Sequence, residues 1–380
     1  MSFPTPSENA ARRSKYVRAA LLGVAVLVAV PAAAHANAAP HANTVTKEIA
    51  AVHADTATAT DPVVHKTIAT DLQVPWGVAF LPRRETLASE RNTARVLSVT
   101  PSGKVREVGV VPGVNAAGQG GLMGLAVSPS FARDRYVYAY LTGETDQRIV
   151  RMRYTGGRLG APEPVLTGIP TGTSHLGGRI AFGPDGFLYV GTGDAGTPDS
   201  AQDRQSLGGK ILRITADGAP APGNPFPGSP VYSLGHRNVQ GFGWDSRGRL
   251  WASEFGQATW DELNLITPGA NYGWPVVEGQ ASTPGFVDPL WQWSPAEASP
   301  SGLAIADDVI YIAGLRGQRL WRIPLQGEGI GTPAAFLTGE YGRLRTVVRA
   351  PGGKLWLTTS NRDQLGTPRP GDDKILSVKP

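Results

Sequence analysis

Residues 179–192 read RIAFGPDGFLYVGT, which is an apolar run, a Gly-Pro-Asp-Gly turn at 183–186 and a second apolar run. This pattern, followed by a polar break and a third strand, recurs six times between Trp76 and the C-terminus. The predicted second strands are 87–90, 136–141, 187–192, 250–254, 309–314 and 355–359. The predicted third strands are 94–100, 148–154, 209–215, 262–267, 319–325 and 374–379.

Repeats of this size, made only of short strands, are typical of propeller blades, because each small sheet needs neighbours to cover its faces. The sequence therefore predicts an all-β fold, a six-bladed β-propeller with four-stranded antiparallel blades. The 48 glycines and 32 prolines among 380 residues suit many turns rather than helices. A hydrophobic content of 41% is enough to bury a large core.

Several kinds of site are excluded by composition. The chain has no cysteine, so it forms no disulfide and cannot hold a covalently attached c-type haem or a cysteine-ligated cluster. Of its six histidines, only His175 and His236 fall within the predicted propeller, which excludes a three-histidine metal site within one chain. The sequence also contains no nucleophile elbow and no P-loop.

The N-terminal region indicates export. Residues 12–36 combine four basic residues, a 12-residue apolar run at 19–30 and a small-residue cleavage signal, so we predict a signal peptide at 1–36. That run would be about 18 Å long as a helix, too short to cross a bilayer. We expect a flexible Ala/Thr-rich linker at 37–65, a propeller domain at 66–380 and a secreted or cell-envelope protein. Because cleavage would remove four of the basic residues, the high pI of the precursor does not indicate a nucleic-acid partner.

Propeller topology predicts which residues meet. In an up-and-down blade, the start of the first strand and the end of the second lie on the same face. Residues at first-strand starts are Gln119, His175, His236, Arg237, Asn238, Arg343 and Arg345. Residues at second-strand ends are Asp194, Gly256, Gln257 and Arg316. One axial mouth would then hold a histidine, a carboxylate, several arginines and amides, which suits an anionic, planar ligand beside a proton acceptor.

A set of motifs adds a family resemblance. They are VPWG at 74–77, GQGGL at 118–122, HLGGR at 175–179, GHRN at 235–238, DELN at 261–264, NYGWP at 271–275 and RLR at 343–345. In this order, the motifs make the chain resemble the soluble, calcium-dependent pyrroloquinoline quinone (PQQ) sugar dehydrogenases, the glucose/sorbosone or aldose sugar dehydrogenase group. The resemblance runs from about residue 72 to 378. It implies a six-bladed propeller that oxidises the anomeric hydroxyl of aldoses to the lactone.

The resemblance implies catalytic roles for three residues. His175 matches the base that takes the hydroxyl proton while hydride passes to the quinone, work that suits a neutral imidazole near pH 7. Asp194 matches the carboxylate that orients this imidazole. Arg237 matches the residue that stabilises negative charge at the reactive edge of the quinone. The alternatives from the residues alone are a histidine bonded within a turn and a carboxylate that forms a turn.

The resemblance also implies cofactor-binding residues. Asn238 matches the partner of Arg237 at the quinone edge, and Gln119 matches a residue near His175. Arg343 and Arg345 alternate on an extended segment, so both side chains point the same way, and guanidinium groups grip ring carboxylates bidentately. A solvated strand edge is the alternative for this pair. Arg316 falls where relatives commonly carry a lysine, and the longer, planar arginine changes the contact.

Calcium is implied in two places. Gly256 and Gln257 match the segment whose backbone carbonyls hold the catalytic Ca²⁺, although the usual second residue there is proline. Glu262 and the backbone carbonyl of Tyr272 match a separate structural calcium site, since oxygen ligands suit Ca²⁺. An exposed turn pair is the alternative for Asp261 and Glu262.

Two other function classes remain open at this stage. A calcium-dependent propeller lactonase would hydrolyse the lactone, and it predicts carboxylate and asparagine ligands around a central ion. A non-catalytic sugar-binding propeller of the cell envelope would keep the blades without the set of His175, Asp194 and Arg237. For the dehydrogenase we expect an aldose substrate, an external electron acceptor such as a quinone or redox protein, no transmembrane segment, and a monomer or homodimer.

Overall fold

Six antiparallel sheets contain the strands of the structure, a computed structural model that describes residues 61–82 and 85–380. The predicted signal peptide at 1–36 and most of the predicted linker at 37–65 lie outside the described residues. The first strand, β1 (Val63–Ala69), belongs to the last sheet and begins within the predicted linker.

The sheets follow one another along the chain as blades. Blade 1 contains β2 (Pro75–Phe80), β3 (Thr86–Glu90), β4 (Arg95–Val99) and β5 (Val105–Val110). Blade 2 contains β6 (Leu122–Val127), β7 (Tyr136–Thr142), β8 (Gln147–Thr155), the short β9 (Arg158–Leu159) and β10 (Glu163–Ile169). Blade 3 contains β11 (Arg179–Phe182), β12 (Leu188–Gly191), β13 (Lys210–Ile214) and β14 (Val231–Leu234).

The second half of the ring repeats this order. Blade 4 contains β15 (Val239–Trp244), β16 (Leu250–Glu254), β17 (Asp261–Ile266) and β18 (Trp291–Trp293). Blade 5 contains β19 (Pro300–Ala306), β20 (Val309–Gly314), β21 (Arg319–Gln326), the short β22 (Gly329–Ile330) and β23 (Ala334–Phe336). Blade 6 contains β24 (Leu344–Arg349), β25 (Leu355–Thr359), β26 (Ile375–Lys379) and β1.

The predicted fold class is confirmed. The strands predicted at 250–254, 309–314 and 355–359 coincide with β16, β20 and β25, and the other predicted second and third strands overlap the observed ones. Helix is confined to one turn at α1 (Phe131–Asp134) and a 3₁₀ turn at Pro198–Ala201 within the described residues. In that same part of the chain, none of the helices has the length and apolar character that a membrane span requires.

The two ends of the described chain close the ring. Strand β1 pairs antiparallel with β26, and the register joins Val63 to Lys379 and Ala69 to Ile375. The last blade therefore takes its outermost strand from the beginning of the domain. Backbone hydrogen bonds between the two ends of the domain thus hold the ring closed.

Hydrophobic packing lies between blades rather than within one central core. Each of six buried clusters joins residues of neighbouring blades around the ring. Trp251 and Trp321, for example, belong to the cluster between blades 4 and 5, and Trp356 packs on Phe80 between blades 6 and 1. Every blade is thus covered on both faces, as the repeat pattern requires.

Glycines allow the innermost strands to approach closely at the hub. A Cβ atom on Gly77 of β2 would lie 2.6 Å from Met123 O and Leu125 N of blade 2, and one on Gly124 would lie 2.3 Å from Gly178 O of blade 3. The side chain of Ser89 bridges the same junction, because its Oγ accepts from Gly77 N and donates to Met123 O. At these positions, the backbones of neighbouring inner strands are therefore in direct contact. The predicted site residues lie at the starts of these strands.

Candidate active site

His175 precedes β11 and is bonded on both sides of its ring. Its Nδ1 lies 2.8 Å from Asp194 Oδ1, and its Nε2 lies 2.6 Å from Arg237 Nη2. A guanidinium group has only donors, so Nε2 is the accepting nitrogen and Nδ1 carries the proton donated to Asp194. The ring is thus in the tautomer that leaves a lone pair on Nε2. About 20% of the side chain is exposed, which leaves it open to the mouth.

Asp194 is fully buried three residues after β12. Burial opposes its ionisation, but hydrogen bonds from His175, Gly196 N and the Trp274 indole together hold the pKa of this carboxyl below its usual value. The carboxylate therefore stays charged and fixes the imidazole. Backbone bonds add to this, since Ala195 N donates to His175 O and Asp194 N donates to Arg237 O.

Arg237 precedes β15, and its guanidinium lies 5.5 Å from the centre of the Trp274 ring and contacts oxygen atoms and His175. Its Nη1 donates to Phe255 O at 3.2 Å and also to Gly256 O, and its Nε and Nη2 donate to Gln257 Oε1 at 2.9 and 2.5 Å. Burial lowers the pKa of this guanidinium, opposed by nearby carboxylates. We refer to His175, Asp194 and Arg237 as the histidine group.

Gln119 and Asn238 fasten the loop that carries His175. Gln119 Oε1 accepts from His175 N at 2.9 Å, and Asn238 Oδ1 accepts from Gly177 N at 2.9 Å. In the described residues Asn238 Nδ2 is buried and has no hydrogen-bond acceptor. A bound ligand with an oxygen atom at this position would satisfy it.

A cavity of about 220 Å³ lies beside the histidine group at the mouth of the hub. Thr173 and Leu176, on either side of His175, line it together with Gln119 and Phe255. Apolar residues such as Trp76 and Leu315 form part of the remaining wall, and its charged residues are Arg91, Arg343, Arg345 and a single carboxylate, Asp363. We refer to these four residues as the arginine group.

Asp363 organises the arginine group. Its Oδ2 accepts from Arg343 Nε at 3.0 Å and from Arg345 Nη2 at 3.1 Å. Burial opposes the ionisation of Asp363, but Arg345 and Arg343 outweigh it and lower the pKa. Arg343 and Arg345 can share this partner because their side chains lie on the same side of an extended segment, as predicted.

Positive charge remains in excess at the hub. Burial lowers the pKa of Arg345 to about 10, and burial together with Arg345 lowers that of Arg179 to about 9. Arg179 lies over the Trp76 ring at 4.2 Å and donates to Gln240 O and Thr346 Oγ1, which are neutral partners. Arg91 Nη2 is buried without an acceptor in the described residues. Because buried charges require partners, this wall is suited to an anion.

Arg316 is the predicted residue that is set apart from the others. It follows Leu315, which lines the cavity, but its own side chain is exposed. Its position two residues after β20 agrees with the topology, and its proposed contact with a cofactor stays a prediction.

The loop from Phe255 to Trp260 is shaped by two carboxylates. Glu278 Oε1 accepts four successive backbone N–H bonds, from residues 257–260, at 2.6 to 3.2 Å. Asp261 Oδ1 accepts the preceding one, from Gly256 N, at 3.0 Å. Because the five backbone N–H groups of this loop point toward the two carboxylates, the carbonyls of Phe255 and Gly256 point toward Arg237. A side chain at Gly256 would lie 1.7 Å from Trp260 O, so the loop requires glycine there.

Glu262 and Tyr272 are linked through Glu254. Glu262 lies directly opposite Glu254 in the β16–β17 ladder, and burial together with Glu254 raises the pKa of the Glu262 carboxyl. Tyr272 stacks on His236, and His236 Nδ1 lies 2.7 Å from Glu254 Oε2. Within residues 61–82 and 85–380, no three His, Asp or Glu side chains are grouped to hold a metal. Any ion here would depend on backbone carbonyls as well, as the resemblance implies.

Sequence analysis missed Arg91, Asp363 and Glu278. The first two follow second strands, β3 and β25, so the topological rule that found Asp194 would have found them if applied to blades 1 and 6. Glu278 lies in the long insert between β17 and β18, where strand periodicity gives no signal.

Comparisons with known proteins show which proteins this chain is similar to. The PQQ-bound form of aldose sugar dehydrogenase from Streptomyces coelicolor is 58% identical, with a TM-score of 0.83 over 84% of this chain and 98% of that one. An aldose sugar dehydrogenase of Escherichia coli is 27% identical over 76% of this chain and 87% of its own length. Quinoprotein glucose dehydrogenase B of Acinetobacter calcoaceticus is 36% identical, over 58% of this chain and 54% of its own length.

The family described as Glucose / Sorbosone dehydrogenase matches residues 72–366. This range contains every predicted site residue, and the resemblance stated from the motifs is confirmed. The chain therefore belongs to the glucose/sorbosone dehydrogenase family, a family of sugar-oxidising enzymes.

Proposed function

We propose that this enzyme oxidises the anomeric hydroxyl of aldoses to aldonolactones, with PQQ in the hub cavity, Ca²⁺ beside it and an external acceptor for the electrons. The observation that carries the proposal is the adjacency of the two groups. A histidine fixed by a buried carboxylate lies beside a cavity whose other wall has three arginines against one aspartate.

The cavity fits an anionic, planar cofactor. Arg91 Nη2 and Asn238 Nδ2 are buried donors that lack acceptors in the described part of the chain, and both belong to or adjoin the cavity wall. Ring carboxylates and quinone oxygens are acceptors of the kind these donors require. Bound PQQ would supply a two-electron quinone acceptor for the hydride that leaves the sugar carbon.

His175 is the proposed base. With Nδ1–H donated to Asp194, Nε2 can take the proton of the anomeric hydroxyl, and the charged carboxylate stabilises the imidazolium that results. Arg237 lies against Nε2 and is placed to stabilise negative charge on an oxygen nearby. The proton thus goes to Nε2, the hydride leaves with its electron pair, and the sugar carbon becomes the lactone carbonyl.

The calcium assignments rest on the chemistry of the donors. Phe255 O and Gly256 O both contact the cation of Arg237, so this loop already presents oxygens to positive charge. Glu262 and Glu254 face each other in a buried ladder, where a divalent cation would relieve the repulsion between carboxylates. We propose the carbonyls of Gly256 and Gln257 as the catalytic site, and Glu262 with the Tyr272 carbonyl as the structural site.

The decisive experiment reconstitutes the purified, cofactor-free protein with PQQ and Ca²⁺ and follows dye reduction across a panel of sugars. We expect reduction only when both are added, and His175→Ala to lose most turnover while keeping PQQ absorbance. Arg349→Ala, an exposed arginine on β24 outside the cavity, serves as a matched control. If the wild type stays silent in every combination, the dehydrogenase proposal fails.

The same preparation tests the lactonase alternative. Acid release from an aldonolactone, followed with a pH indicator in the absence of PQQ, would favour hydrolysis over oxidation. The cavity argues against that result, because arginines rather than carboxylate and asparagine ligands dominate its wall.

A further inference from the structure

The guanidinium of Arg237 lies among oxygens that the proposed catalytic calcium would also use. One nitrogen, Nη1, contacts both Phe255 O and Gly256 O. Calcium binds oxygen ligands at about 2.3–2.6 Å. Gly256 O is one of the two carbonyls proposed for calcium, so an ion bound to it would lie next to Nη1. The two positive charges would repel each other there and compete for the same carbonyl.

The same guanidinium covers the base nitrogen of His175. Arg237 Nη2 lies 2.6 Å from Nε2, whose single lone pair is the one that would accept the substrate proton. While this bond persists, Nε2 has no free acceptor for a sugar hydroxyl. Movement of Arg237 away from the carbonyls would expose this nitrogen.

Gln257 determines how firmly the guanidinium is held. Its Oε1 accepts from both Nε and Nη2 of Arg237, at 2.9 and 2.5 Å. Both bonds are made by the side chain, so a residue without a side-chain acceptor at position 257 would not make them. Hydrogen bonds to a charged group are stronger than those between neutral groups, so Gln257 holds the guanidinium firmly.

Charge around the loop would favour exchange of the guanidinium for a divalent ion. Asp194, Glu278, Glu254 and Asp261 all act on Arg237 electrostatically. The bonds from Glu278 and Asp261 to five backbone amides keep the carbonyls in place whichever cation is present.

We propose that Arg237 is a latch. In the cation-free protein its guanidinium, held by Gln257, occupies the Gly256 carbonyl and covers His175 Nε2, and calcium binding displaces it and frees the base. This rests on the proposed function, since it takes the Gly256 segment as the catalytic calcium site. Gln257 is then a positioning residue that weakens calcium binding.

The test measures calcium binding by the PQQ-free, chelator-treated protein with isothermal titration calorimetry. We expect Gln257→Ala to bind Ca²⁺ about tenfold more tightly than the wild type, because two bonds to the competing cation are lost. Arg237→Ala should bind at least as tightly as Gln257→Ala. Gln326→Ala, a substitution of an exposed glutamine at the end of β21, should bind as the wild type does.

Two further readouts separate competition from a general effect on the fold. Guanidinium chloride at low millimolar concentration should weaken calcium binding by Arg237→Ala severalfold, compared with sodium chloride at the same concentration. Calcium binding by the wild type should be unchanged.

Modification of His175 by diethyl pyrocarbonate, followed by peptide mass spectrometry, should be accelerated severalfold by Ca²⁺ in the wild type. In Gln257→Ala it should be fast without added calcium.

The outcomes distinguish the latch from the proposed function. Calcium binding that is unchanged in both Gln257→Ala and Arg237→Ala, or weaker in Gln257→Ala, would overturn the latch and leave the calcium site intact. Absence of calcium binding in the wild type and in every variant would contradict the proposed calcium requirement itself, and the latch with it.

Discussion

The histidine group and the arginine group border the same cavity but differ in how completely their charged and polar atoms are paired. In the histidine group, each polar atom of His175 and Asp194 described above has a partner, and the carboxylate balances the neighbouring guanidinium. In the arginine group, one carboxylate faces three guanidinium groups, and a donor on Arg91 has no acceptor in the described residues.

The difference separates two tasks. A fully bonded histidine has a fixed tautomer and orientation, which a proton transfer requires. Buried cations that lack anionic partners are destabilising. Binding of an anion therefore lowers the free energy of the arginine group. Substitutions in the first group should therefore affect turnover, and substitutions in the second should affect cofactor affinity.

The largest effect is expected for His175→Ala. Removal of the base should lower kcat about a thousandfold, because general bases contribute about 10²–10⁴-fold to catalysis. PQQ affinity, measured by absorbance titration, should change little, since the arginine group is intact. A large loss of affinity with unchanged kcat would reverse the assignment of tasks.

A smaller loss of turnover is expected for Asp194→Asn. The amide cannot balance an imidazolium and can favour the wrong tautomer, so kcat should fall about a hundredfold. Steady-state kinetics at saturating PQQ would measure this. An unchanged kcat would mean that the 2.8 Å contact with His175 is only structural.

The arginine group is tested by Arg345→Met, which keeps the size of the side chain and removes its charge. We expect PQQ binding about thirtyfold weaker, from the loss of a charge-assisted bond, and kcat at saturating PQQ within about a factor of three. Arg349→Met on the same strand is the control. Equal effects of the two substitutions would show that overall charge, rather than the cavity wall, governs binding.

The smallest effect is on stability. The pKa of Asp363 is lower in the folded protein than in the unfolded chain, so its stabilisation is complete above the ordinary carboxyl pKa of about 4 and is lost as pH falls through the lowered value. Asp363→Asn should lower the free energy of unfolding by about 1.5 kcal/mol at pH 7. In denaturant titrations, this difference from the wild type should shrink below pH 4.

Asp217→Asn is the matched control for that prediction, because Asp217 pairs with Arg151 on the surface and is 79% exposed. Exposed pairs contribute little, so its stability should match the wild type within about 0.5 kcal/mol. A difference for Asp363→Asn that is as large at pH 3 as at pH 7 would contradict the electrostatic explanation.

The fold was predictable because the blade pattern is local. Strand β16 (Leu250–Glu254) was located to the residue, since a turn and an apolar run fix it within ten residues. The ring-closing strand β1 was harder. Its sequence VVHKTIA buries only its last two residues, and its partner β26 lies more than 300 residues away.

The site was predictable where a residue type is rare and its position follows from topology, as for His175 and Asp194. Asp363 and Glu278 were not, because their importance arises from partners 18 to 21 residues away in sequence. Aspartate or glutamate in a loop gives no signal of its own. The bonds made by Gln257 were equally hidden, since the resemblance predicted only a backbone role.

The closure between β1 and β26 has a consequence for how this enzyme is made. During translation, Val63–Ala69 is made before the other strands of the propeller and Ile375–Lys379 is made after them. The ring therefore cannot close until synthesis of the domain is finished. Because the mouth draws residues from loops of all the blades, partial chains would hold blades but no working hub. Activity should therefore appear only after the ring has closed, in one late step of folding. Loss of the final strand should prevent closure and so abolish the site, rather than affect one blade alone.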